Sequence, residues 1–176
     1  PGTLSAMNSL GLLLYNQGLL DQAKSLLSRT LEIRDRVLGS THPDTLVSVG
    51  NLVLLLQDLG EFEVAEPMLR KALESQERIY GKEHPDTLRS LNNLALLLYR
   101  QGKLNEAESR WRDVLEIREQ NFESDHPETL TVLNNLALVL QDLEKFDEAE
   151  TVGRRTLEAQ HRAFGPDHPA TLLSLN

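Results

Sequence analysis

Histidine recurs at positions 42, 84, 126 and 168, each time followed by proline, at a constant spacing of 42 residues. Imidazole is a common metal ligand, so a regular row of histidines raises metal binding first. Zinc ligands must converge to about 2 Å from the ion. One histidine per 42-residue repeat instead leaves neighbours about 10 Å apart, the interaxial distance of packed helices. The row is therefore read as capping or packing the loop between repeats, with no metal site. His161 is off this phase and reads as a solvated side chain on a helix.

The remaining reactive groups do not converge either. The chain has no cysteine, which removes thiolate chemistry and disulfides. Glu32–Arg36, Glu74–Arg78 and Glu158–Arg162 stand at i, i+4 in the favourable order and read as helix-surface ion pairs. There is no Gly-x-x-x-x-Gly-Lys phosphate loop and no nucleophile elbow. Ser and Thr fall at caps or helix surfaces, and no His-and-acid pair is placed beside one in an identifiable catalytic arrangement. The expectation is a protein without catalytic activity and without a cofactor.

Charge and composition bound the partners. With 18 basic against 27 acidic residues, the net charge is −9. A nucleic-acid surface needs a basic face, and none is visible. No apolar run approaches the roughly 18 residues of a membrane-spanning helix, and the amino terminus lacks a signal-peptide layout. Absence of cysteine fits a reducing compartment, so the expected location is cytoplasmic. Thirty-seven of the 176 residues are Leu and only 5% are aromatic, a balance that favours helices over strands.

The elements that position these residues follow from the repeat. Thr45-Leu46, Thr87-Leu88, Thr129-Leu130 and Thr171-Leu172 follow the four His-Pro steps, and Thr3-Leu4 lies one period earlier. The expected repeats are 1–42, 43–84, 85–126 and 127–168, with 169–176 opening a fifth. Each repeat reads as two helices. In the third, Leu88, Leu91, Leu94, Ala95 and Leu98 make one apolar stripe, and Leu104, Ala107, Trp111, Val114, Leu115 and Ile117 make the next. Trp111 is thereby a packing residue. Gly18, Gly60 and Gly102 break the chain between the two helices. Asp21, Glu63, Asn105 and Asp147 suit the start of the second helix. Gly39, Gly81 and Gly165 suit a left-handed cap at its end, with Glu123 in the third repeat. Pro43, Pro85 and Pro127 fit the first position of the following helix. Pro67 is placed in the first turn of its helix, where proline is tolerated.

Ala23, Ala65, Ala107 and Ala149 hold one position in all four repeats, and Gly11, Val53, Ala95 and Ala137 hold another. A bulky-Leu-small triad followed by Gly and then Ala is the tetratricopeptide pattern, lengthened from about 34 residues. The chain is similar to the kinesin-light-chain type of tetratricopeptide repeat. The matching residues are Leu91-Asn92-Asn93-Leu94-Ala95, Gln101-Gly102-Lys103, Glu106-Ala107-Glu108, Leu115-Glu116-Ile117-Arg118-Glu119 and Asp125-His126-Pro127. The resemblance implies an all-α right-handed superhelix of four helix pairs and a partial fifth helix. The same repeat type also resembles sensor arrays of bacterial and fungal STAND-type signalling NTPases, which carry Thr-Leu after His-Pro-Asp.

The resemblance also implies a concave groove lined by the first helix of each repeat. It places there Asn8, Ser9, Leu12, Tyr15 and Asn16; then Gly50, Asn51, Leu54, Gln57 and Asp58; then Arg89, Asn92, Asn93, Leu96, Tyr99 and Arg100; then Asn134, Asn135, Leu138, Gln141 and Asp142. Asn is a mediocre helix former, so its recurrence in mid-helix needs a reason. An amide ladder for a peptide backbone is one; bonds that hold the repeats together are the other. Gly50 interrupts the ladder. Arg89 and Arg100 add charge selection, diluted by Asp58 and Asp142. Replacing Asn92, Asn93 and Asn134 by Ala separates the two readings. The expected function is binding of a peptide or protein segment by a monomer. The alternatives are a sensor array of a larger NTPase, or a spacer that self-associates through apolar repeat ends.

Overall fold

In a computed structural model the described residues are 2–121 and 126–164. They form eight helices and, among the described residues, no strand. The helices are α1 (Gly2–Asn16), α2 (Leu20–Leu38), α3 (Pro43–Asp58), α4 (Phe62–Tyr80), α5 (Pro85–Arg100), α6 (Leu104–Asn121), α7 (Pro127–Asp142) and α8 (Phe146–Phe164). The chain divides into two compact units, Pro1–Ser90 and Leu91–Asn176. In the first, α1 packs on α2, α2 on α3 and α3 on α4; in the second, α6 packs on α7 and α7 on α8. Glu123, Asp125, Gly165, His168-Pro169, Thr171-Leu172 and the expected start of a fifth repeat at 169–176 lie outside the described residues.

The His-Pro step works as a helix start. Pro43, Pro85 and Pro127 each open their helix. The preceding histidine accepts a hydrogen bond at Nδ1 from the backbone N–H two residues on: Asp44 to His42 at 3.2 Å, Asp86 to His84 at 3.2 Å, Glu128 to His126 at 3.3 Å. An imidazole nitrogen thus satisfies one of the orphan amides that a helix N-terminus leaves. The three described histidines of the row are caps.

Each first helix ends the same way. The amide of Leu19 reaches back to the Leu14 carbonyl, Glu61 to Leu56, Lys103 to Leu98 and Lys145 to Leu140. These 6→1 bonds define a Schellman motif, which requires the residue before the donor to be left-handed. Gly18, Gly60 and Gly102 supply it with φ of 75°, 72° and 75°. In the fourth hairpin the position holds Glu144 at φ 59°, where a Cβ is strained.

Two expectations change. Gly39 and Gly81 do have positive φ, but with ψ of 158° and 167° they lie outside the left-handed helical well. That region is essentially open to glycine alone. Pro67 is the sixth residue of α4 and therefore inside the helix, where its missing N–H leaves the Glu63 carbonyl without its helical partner.

The apolar stripes fill the interior. Leu88, Leu91, Leu94, Ala95 and Leu98 are buried, as are Ala107, Trp111, Val114 and Leu115. The small-residue position has a steric cause in α1: a Cβ on Gly11 would lie 2.6 Å from a methyl of fully buried Leu27.

Candidate peptide-binding faces

In the first unit, α1 and α3 lie in contact. Asn8 is buried, and its Oδ1 accepts from Asn51 Nδ2 at 3.2 Å and from Ser48 Oγ at 3.4 Å. Asn8 and Asn51 are thus bonded to each other across two helices. Ser48 also accepts from buried Arg34, whose Nη1 donates to it at 2.8 Å and to the Asp44 carbonyl at 2.8 Å. At the far end of these helices Tyr15 Oη donates to Asp58 Oδ2. Leu54 is exposed, whereas Gln57, expected beside it, is buried. Arg89 is exposed and ion-paired with Asp86 at 2.6 Å, three residues back on its own helix.

In the second unit the amides divide differently. Asn92 Oδ1 accepts from the indole N–H of Trp111 at 3.0 Å. Trp111 is fully buried, and this bond satisfies its single donor. Asn134 is exposed and Asn93 and Asn135 are half-buried; none of the three makes a side-chain hydrogen bond among the described residues. Leu96 is half-buried and Leu138 exposed. Tyr99 Oη donates to Asp142 Oδ2 at 2.6 Å. That bond, then burial, then the Asp142 charge raise the Tyr99 pKa, so the phenol keeps its proton. Its ring is tilted against Trp111 at 5.9 Å. Arg100 is exposed at the end of α5.

The amide positions therefore separate. Asn8, Asn51 and Asn92 are bonded within the chain, and Asn93, Asn134 and Asn135 are open. The Asn92, Asn93 and Asn134 triple variant would mix the two groups.

Sequence reasoning passed over Arg34 and Arg118. Both are buried, and Arg118 Nη2 pairs with Glu128 Oε2 at the start of the next helix. They lie 84 residues apart, with buried Gln76 at the position halfway between and buried Gln160 one repeat further on. That alternation was the available signal. Two of the expected surface ion pairs are replaced by others. Glu66–Arg70 (2.8 Å), Glu108–Arg112 (2.8 Å) and Glu150–Arg154 (2.6 Å) close at i, i+4 in the second to fourth repeats, whereas Glu32–Arg36 and Glu74–Arg78 do not. Among the described residues no group of three His, Cys, Asp or Glu could hold a metal ion, and no helix is long and apolar enough to cross a membrane.

Helix pairs of this kind, each joined by a Schellman turn, define the class of all-α repeat arrays. The model for the tetratricopeptide repeat matches residues 2–74, 48–120, 91–160 and 128–176. The chain belongs to the tetratricopeptide repeat family. Two crystal structures of the nearly identical TPR-like repeats of a Podosopora anserina "putative kinesin light chain" superpose closely. One, a Q17M form, has a TM-score of 0.88 at 25% identity; the other has 0.87 at 26%. In each case 99% of this chain covers 82% of that one. BtubC (BKLC) from P. vanneervenii shares the fold, with a TM-score of 0.83 at 23% identity, 94% of this chain covering 66% of that one. No curated protein matches the sequence. Tetratricopeptide repeats generally mediate protein–protein interaction.

Proposed function

We propose that the chain binds a peptide or protein segment on the faces of its first-of-pair helices. The observation that carries this reading is the open set of amides in the second unit, Asn93, Asn134 and Asn135. An amide in mid-helix lowers helix propensity. Asn8 and Asn92 have internal bonds that offset this cost; these three do not. Each offers two donors and an acceptor, which matches a peptide unit of any sequence. Leu96 and Leu138 lie one turn along from Asn92 and Asn134 and add apolar surface.

The test is a pull-down with the native chain and with a variant carrying Asn93→Ala, Asn134→Ala and Asn135→Ala. The helical signal and the melting temperature should be retained and partner recovery lost. A variant that melts well below the native chain would make these amides structural. Equal recovery by both proteins would move the site elsewhere.

A further inference from the structure

We infer, resting on that reading, that the segment docked on the second unit presents a lysine or arginine to Asp142. Three observations point to it. Asp142 is the last residue of α7, and the last turn of that helix carries no basic residue. A helix C-terminus has a partial negative charge and favours a cation, so an acid there is placed against the dipole. Nothing basic among the described residues compensates it: the one described side-chain partner of Asp142 is the neutral Tyr99 phenol.

Second, the Tyr99 hydrogen bond holds Oδ2 and leaves Oδ1 to an incoming donor. The carboxylate is thus oriented, not mobile. Third, the pairing of a tyrosine with a helix-ending aspartate recurs. Tyr15 donates to Asp58, the last residue of α3, whose last turn also lacks a basic residue. Both tyrosines and both aspartates are 84 residues apart.

Along α7, Asn134, Leu138 and Asp142 follow at i, i+4 and i+8 and share one face. At 1.5 Å per residue the amide and the acid are about 12 Å apart, with the exposed Leu138 between them. A lysine or arginine stem packs on such a leucine while its charged head meets the acid. An acidic side chain at this place would meet the carboxylate and the helix end together, both of the same sign.

The experiment is selection of a displayed random dodecapeptide library on the full chain, followed by affinity measurements on the enriched peptides. In support, they share a lysine or arginine. Changing it to norleucine weakens binding at least tenfold on the native chain and less than twofold on Asp142→Asn. Asp142→Glu retains binding within about threefold, which separates lost charge from a disturbed fold. Peptides that need Asn93, Asn134 and Asn135 but no basic residue, or that bind Asp142→Asn as well as native, overturn the cation and leave the face. No enriched peptide, or binding indifferent to all these variants, overturns both.

Discussion

Replacing Asn92 by Ala should destabilise the protein, and replacing Asn134, its equivalent one repeat on, should not. Asn92 accepts the Trp111 indole N–H at 3.0 Å, and Trp111 has no exposed surface. Removing the acceptor strands a buried donor, at a cost of about 1–3 kcal/mol. Alanine returns up to about 0.7 kcal/mol of helix propensity. The net loss for Asn92→Ala is then at least about 0.3–2.3 kcal/mol. Asn134 is exposed and loses no described bond, so Asn134→Ala keeps the propensity gain alone. The two variants should differ by about 1–3 kcal/mol, several degrees in melting temperature for a chain of this size. Urea unfolding followed by circular dichroism and by fluorescence of the single tryptophan measures this directly. In Trp111→Phe, which has no indole donor, Asn92→Ala should lose most of its cost. If Asn92→Ala is as stable as Asn134→Ala, or if its cost is unchanged in the Phe background, the bond carries no stability and the division of the amides fails.

Glu144→Gly should raise the melting temperature by about 2–4 °C, because relieving a left-handed residue is worth about 1 kcal/mol net of chain entropy; a lower temperature contradicts the strain. Arg34→Ala should cost about 2–4 kcal/mol by stranding the Asp44 carbonyl and Ser48, measured by urea unfolding. Arg34→Gln should cost less, since glutamine occupies the buried equivalents Gln76 and Gln160; equal losses refute this. Burial raises the Glu108 pKa, but hydrogen bonds and charge from Lys145 and Arg112 outweigh it and hold the carboxyl below its ordinary value. A lowered folded pKa contributes stability above the unfolded pKa that disappears as pH falls through the folded one. Glu108→Gln should therefore flatten the acid side of the stability profile, and identical acid limbs would remove Glu108 from it.

The helices were legible because their signals are local. A His-Pro step, a glycine after each first helix and an i, i+3, i+4 stripe are read from adjacent residues. Pro67 was misplaced because the start of α4 has no side-chain cap to mark it. The roles of the asparagines were not legible from their own column. Asn92 and Asn134 are equivalent residues, and what separates them is the residue 19 further on in the paired helix. It is Trp111 for Asn92, a buried donor in search of an acceptor, and Gly153 for Asn134, which has no side chain to offer. Asn8 differs again, because Asn51 and Ser48 come to it from the neighbouring repeat. Position in a repeat fixes where an amide stands; the partner, across the hairpin for Asn92 and from the next repeat for Asn8, decides whether it is occupied.

The same distinction bears on charge. Lys24 pairs with Glu61 at 2.6 Å, and Glu108 with Lys145 at 2.7 Å. These are the same two repeat positions with the signs exchanged. A contact closed within the chain works in either polarity and adds nothing to the net charge of −9, which is a property of the whole chain and not of one face. Asp58 and Asp142 behave otherwise. In both, an acid ends a helix whose dipole disfavours it and accepts from a tyrosine hydroxyl; at Asp142 that neutral phenol is the one described side-chain partner. A pair that only had to hold two helices together could have used the favourable polarity, as the other contacts show. Retaining the unfavourable sign at Asp142 is explained if that acid answers to a charge brought from outside the chain. That is why the local polarity at the end of α7 argues for a cationic partner residue more strongly than the overall charge does.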